Sequence, residues 1–387
     1  MRLLSGPRRA RRFGVHTLFV ATVLATLIAT MTSCAAPAPT LTVTPVATNL
    51  NHPWDLAFTP DGTMLFTERI GKIDALIGGQ VRTLHQPTDV VVKYESGMLG
   101  LAVDPAFQAN RQIYTCFASS LGTNGLDVRV ARWTVSPDYT SLSNRTDILT
   151  GIQNVTGEHA GCRIRFAPPS PSDPRPVLWV GTGDARVPTA PQDPQNLAGK
   201  VLRILTDGSP APGNPGGALN PKIYNYGHRN VQGIAFRPTD GMPFNVEHGT
   251  ICDDEINRIV PGNFGWNPIG PLGPTFYDEV TPMTDIVKYP DAIKPTWASS
   301  CPTIAPSGAA FLVGPQWKGW DGMLVVGTLK EQTLYVTSIS ADGTTTSGLQ
   351  PVLTGQGRLR VPVQGPDGNL YVATDADAGS IIKVTPS

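Results

Sequence analysis

The 387-residue sequence lacks the short signatures of the common hydrolases and nucleotide enzymes. It contains no HExxH, no GxSxG, no Walker loop and no GxGxxG. Any chemistry must therefore come from residues far apart in the chain. No CxxC pair is present and no two histidines stand at ligand spacing, which argues against a zinc site. Neither sign of charge dominates, with 30 Lys+Arg against 30 Asp+Glu. Residues 1–33 hold five arginines and no acid, so the remainder has 25 basic against 30 acidic residues, a net charge of −5. Such a surface offers nothing to a nucleic-acid backbone, and no nucleic-acid partner is expected. Helical periodicity beyond one or two turns is also missing. Short apolar alternations punctuated by turn residues stand in its place, the mark of an all-β protein. Gly 40 and Pro 37 make about a fifth of the chain, below the level typical of disordered segments.

What is present begins with an export signal. Arg2, Arg8, Arg9, Arg11 and Arg12 precede an uncharged run from Phe13 to Ser33, which Met31-Thr32-Ser33-Cys34 closes. Small residues before a cysteine, with Ala35, Ala36 and alternating prolines after it, fit a bacterial lipobox, in which Cys34 is lipidated. The alternative is an uncleaved anchor, because the run nearly reaches the ~20 residues a spanning helix needs. Both readings place residues 41–387 outside the cytoplasmic membrane, held to its outer side. Cys116, Cys162, Cys252 and Cys301 remain to form two disulfides there. Of three possible pairings, Cys116–Cys162 with Cys252–Cys301 is the one expected.

One hairpin recurs six times. Asp55–Gly62 leads into Met64–Thr67, Leu99–Pro105 into Gln112–Phe117, and Arg163–Ala167 to Val177–Val180. Gly233–Pro238 leads to Pro243–Val246, Gly308–Phe311 to Met323–Val326, and Val361–Gly368 to Asn369–Val372. From Leu41 the chain offers about 58 residues per copy, enough for a four-stranded blade and one long loop. A closed ring also removes exposed sheet edges. We therefore expect a six-bladed β-propeller. Residues 1–33 are assigned to a lipoprotein signal peptide, 34–47 to a lipidated tether and 48–387 to the propeller. Within the tether, Leu41–Val46 could complete the last blade beside Ser380–Val384.

Five stretches combine charge with glycine between strands: Glu95–Gly100, Glu158–Arg163, Tyr226–Gly233, Glu247–Asn257 and Arg358–Arg360. Most precede an inner strand, where blade loops converge on one face, and their polar groups would be costly inside unless paired. A mouth lined by His159, Arg229, Lys330, Arg358 and Arg360 suits a multiply anionic ligand with a histidine beside it.

These stretches, together with Asn51–Trp54, Gly181–Asp184, Ala198–Arg203, Asn263–Trp266 and Pro302–Gly308, resemble the soluble quinoprotein glucose dehydrogenase and aldose sugar dehydrogenase family. The resemblance covers nearly all of residues 48–385. It implies a six-bladed propeller that oxidises aldose sugars or related alcohols with pyrroloquinoline quinone (PQQ) and calcium. It implies that His159 is the general base for the anomeric hydroxyl and that Arg229 stands beside the reactive carbonyl. Asn230, Lys330, Arg358, Arg360 and Thr303 then hold the tricarboxylate cofactor, with Glu95 as a polar contact. The backbone carbonyls of Gly249 and Thr250 bind the calcium. A small sugar is the implied substrate, and the electron acceptor is not identified. Four positions depart from the family pattern. Ala185 replaces a glutamine, Thr250 and Val231 replace prolines, and an aromatic normally near Ser300 and Cys301 is missing.

Taken alone, several of these residues have plainer roles. His159 could be a structural histidine bonded to a loop carbonyl, and Arg358 with Arg360 a blade salt-bridge pair. His228 and His248 are expected to shape loops. Asp253, Asp254 and Glu255 could ligate a second calcium or form a capped, solvated turn. Two further functions compete: a non-catalytic propeller binding an anionic glycan or a partner protein, and a calcium-dependent lactonase. The lactonase needs acidic side chains converging on the channel, and the cationic set argues against it.

Overall fold

The computed structural model describes residues 37–387 apart from Asn124 and residues 170–173. The signal segment and the proposed lipidation at Cys34 lie outside the described residues. Among the described residues no helix is long and apolar enough to cross a membrane.

The pleat alternation and the turn residues produce six antiparallel sheets set around a channel. Blade 1 runs outward from Pro53–Phe58 and blade 2 from Met98–Val103. Blade 3 starts at Gly161–Phe166, blade 4 at Val231–Phe236, blade 5 at Pro306–Phe311 and blade 6 at Leu359–Gln364. These six inner strands contact one another in cyclic order, so the ring is closed. Closure is made by Leu41–Leu50, which pairs antiparallel with Gly379–Pro386 as the outer strand of blade 6. The propeller therefore takes in half of the segment assigned above to a tether, and its first strand begins at residue 41 rather than 48. The reason is edge pairing: without that strand the last blade would present an open row of backbone donors and acceptors. Blade 3 gains a fifth, parallel strand, Gly262–Asn263, beside Ile223–Tyr226.

Every inner strand carries a register shift near its N-terminal end. The shifts fall between Pro53 and Asp55, Met98 and Leu101, Gly161 and Arg163, Val231 and Gly233, Pro306 and Ala309, and Leu359 and Val361. A bulge re-aims the side chain it contains, and here Trp54, Gln232 and Arg360 turn toward the channel as a result. Close approach of adjacent inner strands needs glycine: a Cβ on Gly100 would meet the Cys162 carbonyl, and one on Gly233 the Ser307 carbonyl.

Apolar residues pack between blades. Leu99, Val128, Val180 and Leu202 belong to one such cluster, and each such side chain taken from water contributes roughly 1.5–3 kcal/mol. The disulfide Cys116–Cys162, Cα–Cα 5.5 Å, joins blades 2 and 3 within that core. Deeper in the channel Asp55 pairs with Arg163 at 2.6 Å and Arg165 at 2.7 Å. Arg163 lies over the Trp54 ring at 4.0 Å. Burial pushes the Asp55 carboxyl up, but the two arginines outweigh it and hold it below the usual range. Arg163 is pulled down to about 9, chiefly by burial. Asp55 and Arg163 are fully buried and form a plug of paired charge in the interior.

Candidate active site

The loops that precede the inner strands meet at one end of the channel and form two adjoining cavities. The first, about 340 Å³, is lined by Glu95, Glu158, His159, Arg229, Asn230, His248, Gly249, Thr250, Asp254 and Thr303, among others. The second, about 260 Å³, is lined by His52, Arg69, Arg358, Arg360 and Asp375. Tyr94 and Glu95 border both. A chain of contacts crosses the channel between them. Asp375 pairs with Arg360 at 2.7 Å, and Arg360 donates to Gln232 at 3.0 Å. Gln232 donates to Asn230 at 3.1 Å, and Asn230 donates to Glu95 at 3.2 Å.

His159 is buried and held in a left-handed backbone conformation (φ 48°) at the approach to the blade 3 inner strand. Gly183 lets the chain pass close by, since a Cβ there would strike the His159 carbonyl. The His159 Nδ1 lies 2.8 Å from Asp184 Oδ1. Asp184 is a carboxylate, so Nδ1 carries the proton and Nε2 is left as the acceptor. Asp184 also accepts from the Trp266 indole at 2.7 Å, the Tyr277 hydroxyl at 2.6 Å and the Arg186 N–H at 2.9 Å. Burial pushes Asp184 up, yet His159, Arg229 and Tyr277 together hold it below the ordinary carboxylate range. It is therefore a charged orienting group.

Arg229 is nearly buried and pairs with Glu279 at 2.9 Å. Burial opposes its charge, and the acidic neighbours, Glu279 and Asp184, offset that penalty. Its backbone is fixed from beneath by Glu247, which accepts the Arg229 N–H at 3.0 Å and pairs with His228 at 2.7 Å. His228 is structural, closed between Glu247 and Asn225. His248 differs: it lines the cavity, and its Nε2 has no partner among the described residues. Burial, then Arg360 and Arg229, hold His248 well below the ordinary histidine range.

Gly249 and Thr250 line the same cavity. Among the described residues no three His, Cys, Asp or Glu side chains gather as a metal-ligand set. Asp254 accepts the backbone N–H of Gly249 (2.8 Å), Ile304 (2.6 Å) and Ala305 (2.8 Å), tying this loop to the one that carries Thr303. Glu255 is buried against Asn257 and Thr284 and held well above the usual range, by burial first and Glu247 second. The turn is thus capped, by Asp254, but not solvated, because backbone amides and buried neighbours take the oxygens of Asp254 and Glu255. The disulfide Cys252–Cys301, Cα–Cα 4.4 Å, staples the same two loops. Cys301 thereby fills part of the stretch that lacks the family's aromatic.

Lys330 is exposed and borders neither cavity, though its Nζ reaches Thr303 at 3.1 Å. Arg358 is half-exposed and pairs with Asp375 at 3.2 Å. Six site groups were not singled out from sequence: Asp184, Trp266, Tyr277, Glu279, Asp375 and Gln232. Asp184, Trp266 and Gln232 lie in motifs named above without a role assigned to them. Tyr277 and Glu279 come from the Pro/Gly-rich stretch between Asn263 and Trp297, which carries no repeat. An aromatic and an acid close together in that stretch were the only signal.

A propeller with a carboxylate-held histidine beside buried arginines at one end of its channel is the class of protein that the fold and geometry define. Comparisons with known proteins agree with that class. The Glucose / Sorbosone dehydrogenase family description matches residues 50–383. An aldose sugar dehydrogenase of Escherichia coli is 32% identical over 91% of this chain and 94% of its own. Quinoprotein glucose dehydrogenase B of Acinetobacter calcoaceticus is 28% identical over 87% and 86%. The crystal structure of the soluble E. coli aldose sugar dehydrogenase in its apo form superposes with a TM-score of 0.77, at 30% identity over 90% of this chain and 100% of that one. The PQQ-bound aldose sugar dehydrogenase of Streptomyces coelicolor gives 0.70, at 29% identity over 90% and 100%. The chain belongs to the glucose/sorbosone dehydrogenase family.

Proposed function

We propose that the protein is a PQQ- and calcium-dependent dehydrogenase of aldose sugars or related alcohols, with His159 as its general base. The observation that carries this reading is the His159–Asp184 pair opening onto a cavity shared with Arg229. The residues present fit the cofactor. Arg229 Nε, Arg360 Nε and His248 Nε2 are buried without partners among the described residues, and such groups are costly unless a ligand satisfies them. Arg358, Arg360, Thr303 and Asn230 line the cavities and would hold carboxylates, with Lys330 reaching the site only through Thr303. The carbonyls of Gly249 and Thr250 accept no hydrogen bond among the described residues and suit a hard cation. When bound, PQQ supplies the two-electron acceptor that takes hydride from the sugar.

The chain's own part is binding, orientation and proton movement. The His159 Nε2 takes the hydroxyl proton as C1 loses hydride, so the sugar leaves two electrons and two protons poorer, one of them carried in the hydride. Asp184 keeps the imidazole aimed and stabilises it once protonated. Arg229 stabilises negative charge that develops across the cavity from the base. The basic leader and Cys34 support a lipid-anchored location on the outer side of the cytoplasmic membrane, with the sugar arriving from outside. Titration of the purified protein with PQQ in calcium, followed by dye reduction with a panel of aldoses, tests the reading. Saturable PQQ binding and aldose-dependent reduction are expected. Failure to bind PQQ overturns the reading and leaves a glycan- or protein-binding propeller.

A further inference from the structure

The stretch from Phe264 to Thr296 leaves blade 3 and returns to blade 4 across the mouth. It delivers Trp266 and Tyr277 to the carboxylate that holds His159, and Glu279 to Arg229. Glu279 pairs with Arg229 at 2.9 Å and with Arg186 at 3.2 Å. Tyr277 places its hydroxyl 2.6 Å from Asp184 Oδ2 and 3.3 Å from His159 Nδ1, with its ring edge-on to the imidazole at 5.9 Å. The four contacts on Asp184 divide by oxygen. Oδ1 serves His159 and the Arg186 N–H, while Oδ2 serves Trp266 and Tyr277.

We infer that Tyr277 is a positioning residue for the general base: its hydroxyl occupies Asp184 Oδ2 and so reserves Oδ1 for the His159 ring. The inference rests on the proposed role of His159. A carboxylate that loses one of the donors on an oxygen can rotate and share its charge differently, and the imidazole it orients follows. Burial and the neighbouring Asp184 hold the Tyr277 phenol well above its ordinary range, so it is a neutral donor throughout the working pH range. Trp266, at the start of the same stretch, holds Oδ2 from a fully buried position, whereas Tyr277 is only partly buried and is the adjustable member of the pair. Glu279 acts on Arg229 and makes no contact with Asp184, which separates the two contributions of one loop.

The experiment reads the apo protein first. The low-field Nδ1–H proton resonance of His159, assigned by its loss in His159→Gln, is measured in wild type, Tyr277→Phe and Glu279→Gln. Removing one donor from Asp184 concentrates charge on the bond to His159. In Tyr277→Phe the resonance is therefore expected to move downfield, while in Glu279→Gln it stays in place. In the PQQ-loaded enzyme Tyr277→Phe is expected to lower kcat about tenfold and to leave the sugar KM within about twofold. An unmoved resonance in Tyr277→Phe overturns the inference. So does an equal displacement in Glu279→Gln, which would trace the effect to the loop and not the hydroxyl. Because the resonance is read without cofactor, failure of wild type to bind PQQ defeats the functional proposal separately.

Discussion

At one end of the channel the inner strands run out into turns of similar composition, Thr59–Gly62 and Gly365–Gly368 among them. At the other they begin from loops that share neither length nor sequence. The turn end holds the larger cavity, about 530 Å³ against about 340 and 260 Å³ at the mouth. Volume does not find the site. At the turn end Arg165 binds Asp55 through two nitrogens and also donates to the Leu101 carbonyl. Asp104 there accepts the Tyr114 hydroxyl and the Ala106 N–H. These groups have their hydrogen-bonding capacity filled from within the fold. At the mouth Arg229, Arg360, Asp375 and His248 each keep a buried atom without a partner. Unsatisfied polarity beside a cavity, not space alone, marks the candidate ligand site here.

The sharpest way to break the comparison is at the base. His159→Gln is expected to lower kcat for sugar oxidation about a thousandfold, the scale of general-base loss, with the melting temperature within about 2 °C of wild type. A variant that kept more than a tenth of wild-type turnover would take the chemistry away from the mouth. The reverse test lies at the plug. Asp55→Asn leaves the buried Arg163 and the partly buried Arg165 short of a counter-charge and is expected to cost about 3 kcal/mol of stability, read by chemical denaturation. PQQ affinity of the folded fraction is expected to stay within about threefold. Loss of affinity with unchanged stability would mean that the plug belongs to the site.

A smaller effect is expected from the staple. Cys252→Ser frees the Gly249–Thr250 loop from the Thr303 loop, but Asp254 still bridges both through three backbone amides. Calcium-dependent PQQ binding is therefore expected to weaken only about fivefold, as measured by titration of the apo protein. A loss beyond a hundredfold would show that Asp254 does not hold the loops by itself.

How much of this was legible follows from periodicity. Each of the six hairpins sits where its alternation and turn residues placed it, because a blade reports its period locally: Met64–Thr67 falls in the strand Met64–Glu68, and Val177–Val180 in Val177–Thr182. The gathering of His159, Arg229, Asn230 and Glu95 was readable from charge beside glycine before inner strands. Tyr277 and Glu279 were not, because their stretch crosses the mouth without regular structure and its partners lie some 50 to 118 residues away in sequence. The role of Asp184 was hidden for a related reason. A Gly-Thr-Gly-Asp run reads equally as a turn, and only the fold brings it against an imidazole 25 positions earlier. The blade 6 strand at Leu41–Leu50 was only half visible, since a closing strand looks like a tether until its partner at the other end of the chain is known.

One buried carboxylate tests whether orphaned polarity marks function everywhere or only where a cavity adjoins it. Asp74, in the Lys72–Ile77 strand of blade 1, is fully buried, and neither of its oxygens makes a well-formed hydrogen bond among the described residues. It borders none of the cavities at either end of the channel. Burial, with Glu68 nearby, raises its carboxyl from 3.8 to about 7. The folded protein thus keeps this proton over a range where the unfolded chain has lost it, so stability falls as pH rises from about 4 to 7. An amide in place of this carboxyl would have no such proton to lose. Asp74→Asn is accordingly expected to match wild type near pH 4 and to melt about 3 °C higher at pH 8, with sugar oxidation per folded molecule unchanged. A gain of equal size at both pH values would mean that packing, not the buried charge, was relieved. A loss of oxidation would mean that orphaned groups carry function even without a cavity beside them.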